Sequence, residues 1–251
     1  MAKKKDSPVY VDSKGKRLDG RAVNELRPIK IVCGVVPRAD GSAYLEWGQN
    51  KVLAAVYGPR ECLPKHTASP YKAMVKFNYR MASFSVPERK SPKPGRREIE
   101  ISKVCGEALE RVIFLERFPN TQIDISVQIL DSNAGSRIAA LTAASVALAD
   151  AGLPMRDLVC GTSVGRAGGK LIVDLNKDEE DAPDAVDIPV AIMPNVGEIV
   201  LLQLDGIISR KEWEEAYKMA LEASMKVYEI QKKALKDKYA LPSDSEKEVI
   251  E

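Results

Sequence analysis

The sequence predicts an α+β fold, with mixed and antiparallel sheets packed against helices in a single large domain, and three features carry that expectation. Short segments with apolar residues at alternate positions are separated by glycine and proline, the mark of β-hairpins. Three longer stretches repeat their apolar residues at helical spacing. The elements follow the order βββ β α β α ββ ββ α, which is not a regular β-α alternation.

Residues 26–36 mix apolar and basic positions in near alternation, residues 43–47 are short and apolar, and residues 51–57 are rich in β formers. Gly41, Gly48 and Gly58 with Pro59 punctuate them. Residues 73–79 alternate again, so the first part reads as an antiparallel meander of about four strands, followed by a loop to about residue 95. A helix is expected over 96–116, where Ile99, Val104, Ala108, Val112 and Leu115 share a face and Glu98 and Glu100 suit the positive end of the dipole. Residues 121–130 alternate as a strand. Residues 136–151 form an alanine-rich helix small enough to lie tight on a sheet, ended by Gly152 and Pro154. Strands over 158–164, 170–174, 188–193 and 198–204 precede a long helix over 209–238.

A chain of 251 residues with 45% hydrophobic residues can bury a large core. The domain is expected over 17–240, after a polar lead (1–16) and before an acidic, disordered tail (241–251). With 38 basic and 36 acidic residues the net charge is +2, so nucleic acid would have to be held by local patches. Cys33, Cys62, Cys105 and Cys160 are far apart and form no zinc-type spacing, as expected of reduced thiols in a soluble cytoplasmic protein. No apolar run reaches the roughly 18 residues of a membrane span. His66 is the single histidine, which excludes triads of the usual histidine type, and no phosphate loop of the GxxxxGK[ST] form is present.

Three places carry candidate chemistry. In residues 133–137 (NAGSR) a strand passes through Gly135 into a helix beginning with Ser136 and Arg137. Free amides, a hydroxyl and a guanidinium there would bind an anion, although the same residues also read as an ordinary helix cap. Residues 89–97 (RKSPKPGRR) hold five cations and no carboxylate, ending in Arg96 and Arg97 at a helix start. They read equally as a solvated loop or as a phosphate-facing one, since a bound anion would relieve the clash of two arginines with the helix dipole. Residues 174–187 (DLNKDEEDAPDAVD) hold seven carboxylates, most of them explained by a surface turn. Asp187 differs because it opens an apolar strand, where a carboxyl is held rigidly and its pKa is readily raised. It could protonate a leaving alkoxide, with Asp181 as a second carboxylate for a divalent ion.

Taken together, the basic loop before IEISK, the AGSR junction and the acidic tract ending at Asp187 resemble the RNase PH family. The phrases LDGR, ELRPIKI, GSAYLEWG, AAVYGPRE, DAGLPMRDL and DLNKDEED are similar to the catalytic ring subunits of archaeal exosomes more than to the bacterial branch, over about residues 17–240. The resemblance implies the RNase PH fold and a phosphorolytic 3′-to-5′ exoribonuclease. Such an enzyme degrades single-stranded RNA with inorganic phosphate as co-substrate, releases nucleoside 5′-diphosphates, and can add tails in reverse. It assigns Arg97, Gly135, Ser136 and Arg137 to the phosphate site, Asp187 and Asp181 to catalysis and to a Mg2+ or Mn2+ ion, and Arg96, Arg89, Lys65 and His66 to RNA. It also implies a hexameric ring with a related non-catalytic RNase PH-like subunit, RNA-binding cap subunits, and no membrane. The alternatives are a homohexameric tRNA-trimming member, a non-catalytic ring subunit, or an RNA-binding module without chemistry. Asn133 stands where the family commonly has aspartate, Ser83 where it has proline, and PDAVD where GEAD is frequent.

Overall fold

The computed structural model describes residues 10–12 and 15–240; the expected tail and most of the expected polar lead lie outside the described residues. Strands β1 (Ile29–Cys33), β2 (Gly41–Trp47) and β3 (Asn50–Glu61) form the expected hairpins; Gly48, with φ +58°, turns β2 into β3, whereas Gly41 opens β2 and Gly58 lies inside β3. β4 (Met74–Met81) does not continue the meander. Helix α1 (Arg96–Glu110) intervenes before β5 (Thr121–Asp131), carrying the chain back so that β5 runs parallel to β4 and slots between it and β3. The sheet order is therefore β1-β2-β3-β5-β4, the arrangement a β-α-β crossover imposes.

α1 ends six residues earlier than the periodicity suggests. Val112 and Leu115 are buried, but Leu115 belongs to a separate short 3-10 turn, Leu115–Arg117, so the apolar spacing outlasts the helix. α2 (Ser136–Asp150) buries every residue except Arg137 and Ala149. It packs on β2 and β3 of the first sheet and on β6 (Cys160–Ala167) of the second. Its small side chains permit that approach: a Cβ on Gly41 of β2 would lie 2.3 Å from the Ala147 carbonyl oxygen.

The second sheet is antiparallel, in the order β7-β6-β8-β9, with β7 (Lys170–Val173), β8 (Val186–Met193) and β9 (Glu198–Leu202). A single turn, α3 (Lys177–Glu180), forms inside the acidic tract, where only a turn is expected. Asn176 caps it in a reciprocal box with Glu179. α4 (Arg210–Tyr239), capped by Ser209 and Glu212, lies across β6 and β1. One continuous apolar core runs from the first sheet through α2 to the second. All four cysteines are free, and no helix among the described residues is long and apolar enough to cross a membrane.

A buried polar network ties the acidic tract to the rest. Asp174, with φ +57°, receives the Arg27 guanidinium at 2.6 Å, the Arg27 amide at 2.7 Å and the Trp47 indole at 3.0 Å. Arg17 pairs with Glu179, both side chains fully buried, and also donates to the carbonyls of Val173 and Asp174. Burial alone would raise the Asp174 pKa, but the Arg27 charge and hydrogen bonds outweigh it and hold the carboxyl below its usual value.

Candidate active site

The strand-to-helix junction is a strained turn. Ala134 (φ +52°) and Gly135 (φ +66°) are both left-handed, and α2 starts at the next residue. The turn is held from behind: Asn50 donates to the Ala134 carbonyl at 2.7 Å, and the Arg27 guanidinium donates to the Asn133 carbonyl. Ser136 does not cap the helix, because Gly135 is the N-cap and no side chain satisfies the first amides. Its hydroxyl instead meets the Tyr79 phenol at 2.8 Å, and burial pushes that phenol up to about 12. The amides at the start of α2 are thus left to an external acceptor.

Arg137, the outward residue beside them, enters a cleft of about 350 Å³ whose lining also includes Arg97, Glu100, Glu180, Asp187 and Gln203. Glu100 accepts from Arg137 at 3.1 Å, and Gln203 accepts from Arg137 while donating to Glu100 at 2.8 Å. This closed ring of three fixes the guanidinium plane. α1 supplies Arg97 as well as Glu100. Its N-terminus is anchored by Glu98, which accepts from the Gly95 amide at 2.8 Å and from the Met81 amide at 2.9 Å.

Asp187 is the second residue of β8. Its backbone exchanges two hydrogen bonds of 2.9 Å with Asp205, and its carboxylate accepts from Ser163 of β6. Burial raises its pKa above the usual carboxylate value and the nearby Glu180 adds to this, against the opposing pull of Ser163, Arg137 and Arg97. A half-buried, rigid carboxyl with a raised pKa thus shares the cleft with two arginines.

The cleft continues into a smaller pocket of about 110 Å³ lined by Arg97, Ser136, Lys90, Lys177, Glu180 and Val86 among others. The other expected residues are distributed around these spaces. Arg89 lines an outer surface pocket. Arg96 is exposed in the first turn of α1 and faces neither the cleft nor the small pocket. Lys65 and His66 lie in an exposed 3-10 turn, with Lys65 paired to Glu61 at 2.7 Å. Asp181 does not reach the cleft: it is exposed just past α3, and its carboxylate holds Lys177 at 2.7 Å, a hydrogen bond that raises the Lys177 pKa.

Glu180 takes the place beside Asp187 that spacing suggests for Asp181, because the turn of α3 aims residue 180 inward and residue 181 outward. Sequence reasoning also missed Gln203, Ser163 and Tyr79, which carry no local signal. Glu100 was visible only as a helix-dipole residue.

Fold and cleft together define an RNase PH-type protein with a cationic anion site and a shielded carboxylic acid. The chain belongs to the 3′ exoribonuclease family: residues 25–154 match its domain 1 and residues 157–223 its domain 2. It is 52% identical over 239 residues to the exosome complex component Rrp41 of Pyrococcus furiosus, covering 95% of each chain. To that of Thermoplasma volcanium it is 55% identical over 225 residues, 90% of each. Among solved structures, rice Rrp46 superposes with a TM-score of 0.79 at 26% identity, over 88% of this chain and 100% of that one. A chain of the Archaeoglobus fulgidus exosome with RNA bound to the active site gives 0.73 at 22% identity, over 86% and 92%, a likeness of fold.

Proposed function

We propose that this chain is the catalytic ring subunit of an archaeal-type exosome, removing nucleotides from RNA 3′ ends with inorganic phosphate and releasing nucleoside 5′-diphosphates. The observation that carries the reading is the meeting of Arg97, Arg137 and Asp187 in one cleft, next to the uncapped start of α2. An attacking phosphate and a phosphodiester bring several negative charges together, and the two arginines with the helix-end amides offset that repulsion. Attack on the terminal phosphorus forms the new P–O bond as the bond to the 3′ oxygen of the preceding nucleotide breaks. Asp187, whose pKa burial raises, is placed to deliver the proton that this alkoxide needs. No covalent intermediate on the protein is required.

Two parts of the reading lie outside the cleft. Asp181 serves by holding Lys177 at the rim of the phosphate pocket. Arg89, Arg96, Lys65 and His66 guide the strand from outside.

Asp187 and Glu180 offer hard oxygen donors that suit Mg2+ or Mn2+ with water in the remaining positions, although no cluster of three or more ligating side chains occurs among the described residues. Such an ion would supply further charge neutralisation. The assembly proposed is a hexameric ring with a related non-catalytic subunit and RNA-binding caps, acting in the cytoplasm. Incubating the chain with labelled RNA, with and without phosphate, tests the reaction. Nucleoside diphosphates formed only with phosphate are expected; monophosphates, or products independent of phosphate, would refute it.

A further inference from the structure

We propose that Phe84 is a stacking platform for one nucleobase of the RNA, a subsite that extends the proposed exonuclease reading and rests on it. Phe84 is 76% exposed, yet it does not stand on a loose loop. Its neighbour Ser85 is buried and its backbone is bonded on both sides: its amide donates to the Ala82 carbonyl at 3.0 Å, and its carbonyl accepts from Ser132 at 2.9 Å. The Lys90 amide closes the turn onto the Ser83 carbonyl at 3.0 Å. A large apolar ring is therefore fixed facing water, at a cost in exposed apolar surface that a ligand would recover.

Phe84 lines a surface pocket of about 530 Å³ with Ser83, Val86, Pro87 and Arg89. Val86 also borders the phosphate pocket, which shares Arg97 and Glu180 with the cleft of Asp187. The three spaces form one groove running from the aromatic ring to the catalytic acid. Cations occur along its whole course, Arg89 beside the ring, then Lys90 and Lys177, then Arg97, matching a strand whose backbone is anionic throughout. An apolar ring with a guanidinium at its side and no carboxylate in its pocket suits a base with its phosphate. Stacking of this kind accepts every base, since each has a π-face.

The test uses the full chain in its active assembly, with RNAs in which a single abasic nucleotide is moved stepwise from the 3′ end. Phe84→Ala is expected to weaken binding of intact RNA on the order of tenfold, and Phe84→Tyr, which keeps a ring, to restore it. With the abasic nucleotide at one particular position, wild type and Phe84→Ala should bind equally. A defect that persists wherever the abasic site lies, or no defect at all, overturns the proposal. So does a change in assembled mass on Phe84→Ala, which would make the ring a protein contact. Phosphate-dependent diphosphate release by the wild type, measured in parallel, checks the underlying reading separately.

Discussion

Asp187 and Arg137 show how individual side chains acquire their roles from their surroundings. Burial raises the Asp187 pKa above the usual carboxylate value, because the charged form loses solvation there. The contribution it makes is complete below the ordinary carboxylate pKa and is lost as pH rises through the raised value. Asp187→Asn keeps the shape and the Ser163 contact but removes the proton. Degradation should fall about 10²-fold or more while RNA binding persists, and activity within a few-fold of wild type would exclude the acid role. The same variant should be no less stable than wild type near neutral pH, because it no longer buries a charge, with the difference vanishing below about pH 4. Arg137 lies in the cleft and Arg96 outside it. Arg137→Ala should raise the phosphate concentration needed for half-maximal rate, whereas Arg96→Ala should mainly weaken RNA binding and reduce its salt dependence. Indistinguishable defects in phosphate titrations and salt-dependent binding would remove that division of labour.

Secondary elements place these groups through a few long-range connections. α1 and α2 present Arg97 and Arg137 from their first turns, and β8 presents Asp187 where it enters the second sheet. Behind them Asp174 joins the end of β7 to Arg27 before β1 and to Trp47 of β2, while Arg27 also grips the turn ahead of α2. The carboxyl is held below its usual pKa, so its stabilisation is present at neutral pH and fades as pH falls through that lowered value. Asp174→Asn leaves buried guanidinium charge without its partner and should cost about 3–5 kcal/mol. Denaturant unfolding at pH 7 measures this, and the gap from wild type should narrow in acid; an unchanged midpoint would show that the network is dispensable.

On the scale of the whole molecule, the balance of charge matters most. A net charge of +2 supplies little general attraction for an RNA strand, so a strand depends on local cations such as Arg89, Lys90, Arg97 and Lys177. A partner subunit should therefore supply part of the grip. The isolated chain is expected to be weakly active and to become processive when mixed with its related sibling, as activity assays paired with mass measurement would report. Full processivity from a monomer, or from a homohexamer without the partner, would overturn the ring proposal.

Apolar periodicity and glycine placement were enough to mark most strands and all three long helices, and residue type was enough to single out Asp187, Arg97 and the Gly135-Ser136-Arg137 junction. These are local properties, written in which neighbours share a face and where the backbone must turn. Tertiary structure alone decided that β5 would lie between β3 and β4, that Glu180 rather than Asp181 would face Asp187, and that Ser136 would bond Tyr79 instead of capping its helix. The grip on Arg137 comes from Gln203, 66 residues away, and the partner of Arg17 is Glu179, 162 residues away. Such pairings depend on which buried faces can pack together and which polar groups are then left to satisfy one another, a condition that no local pattern encodes.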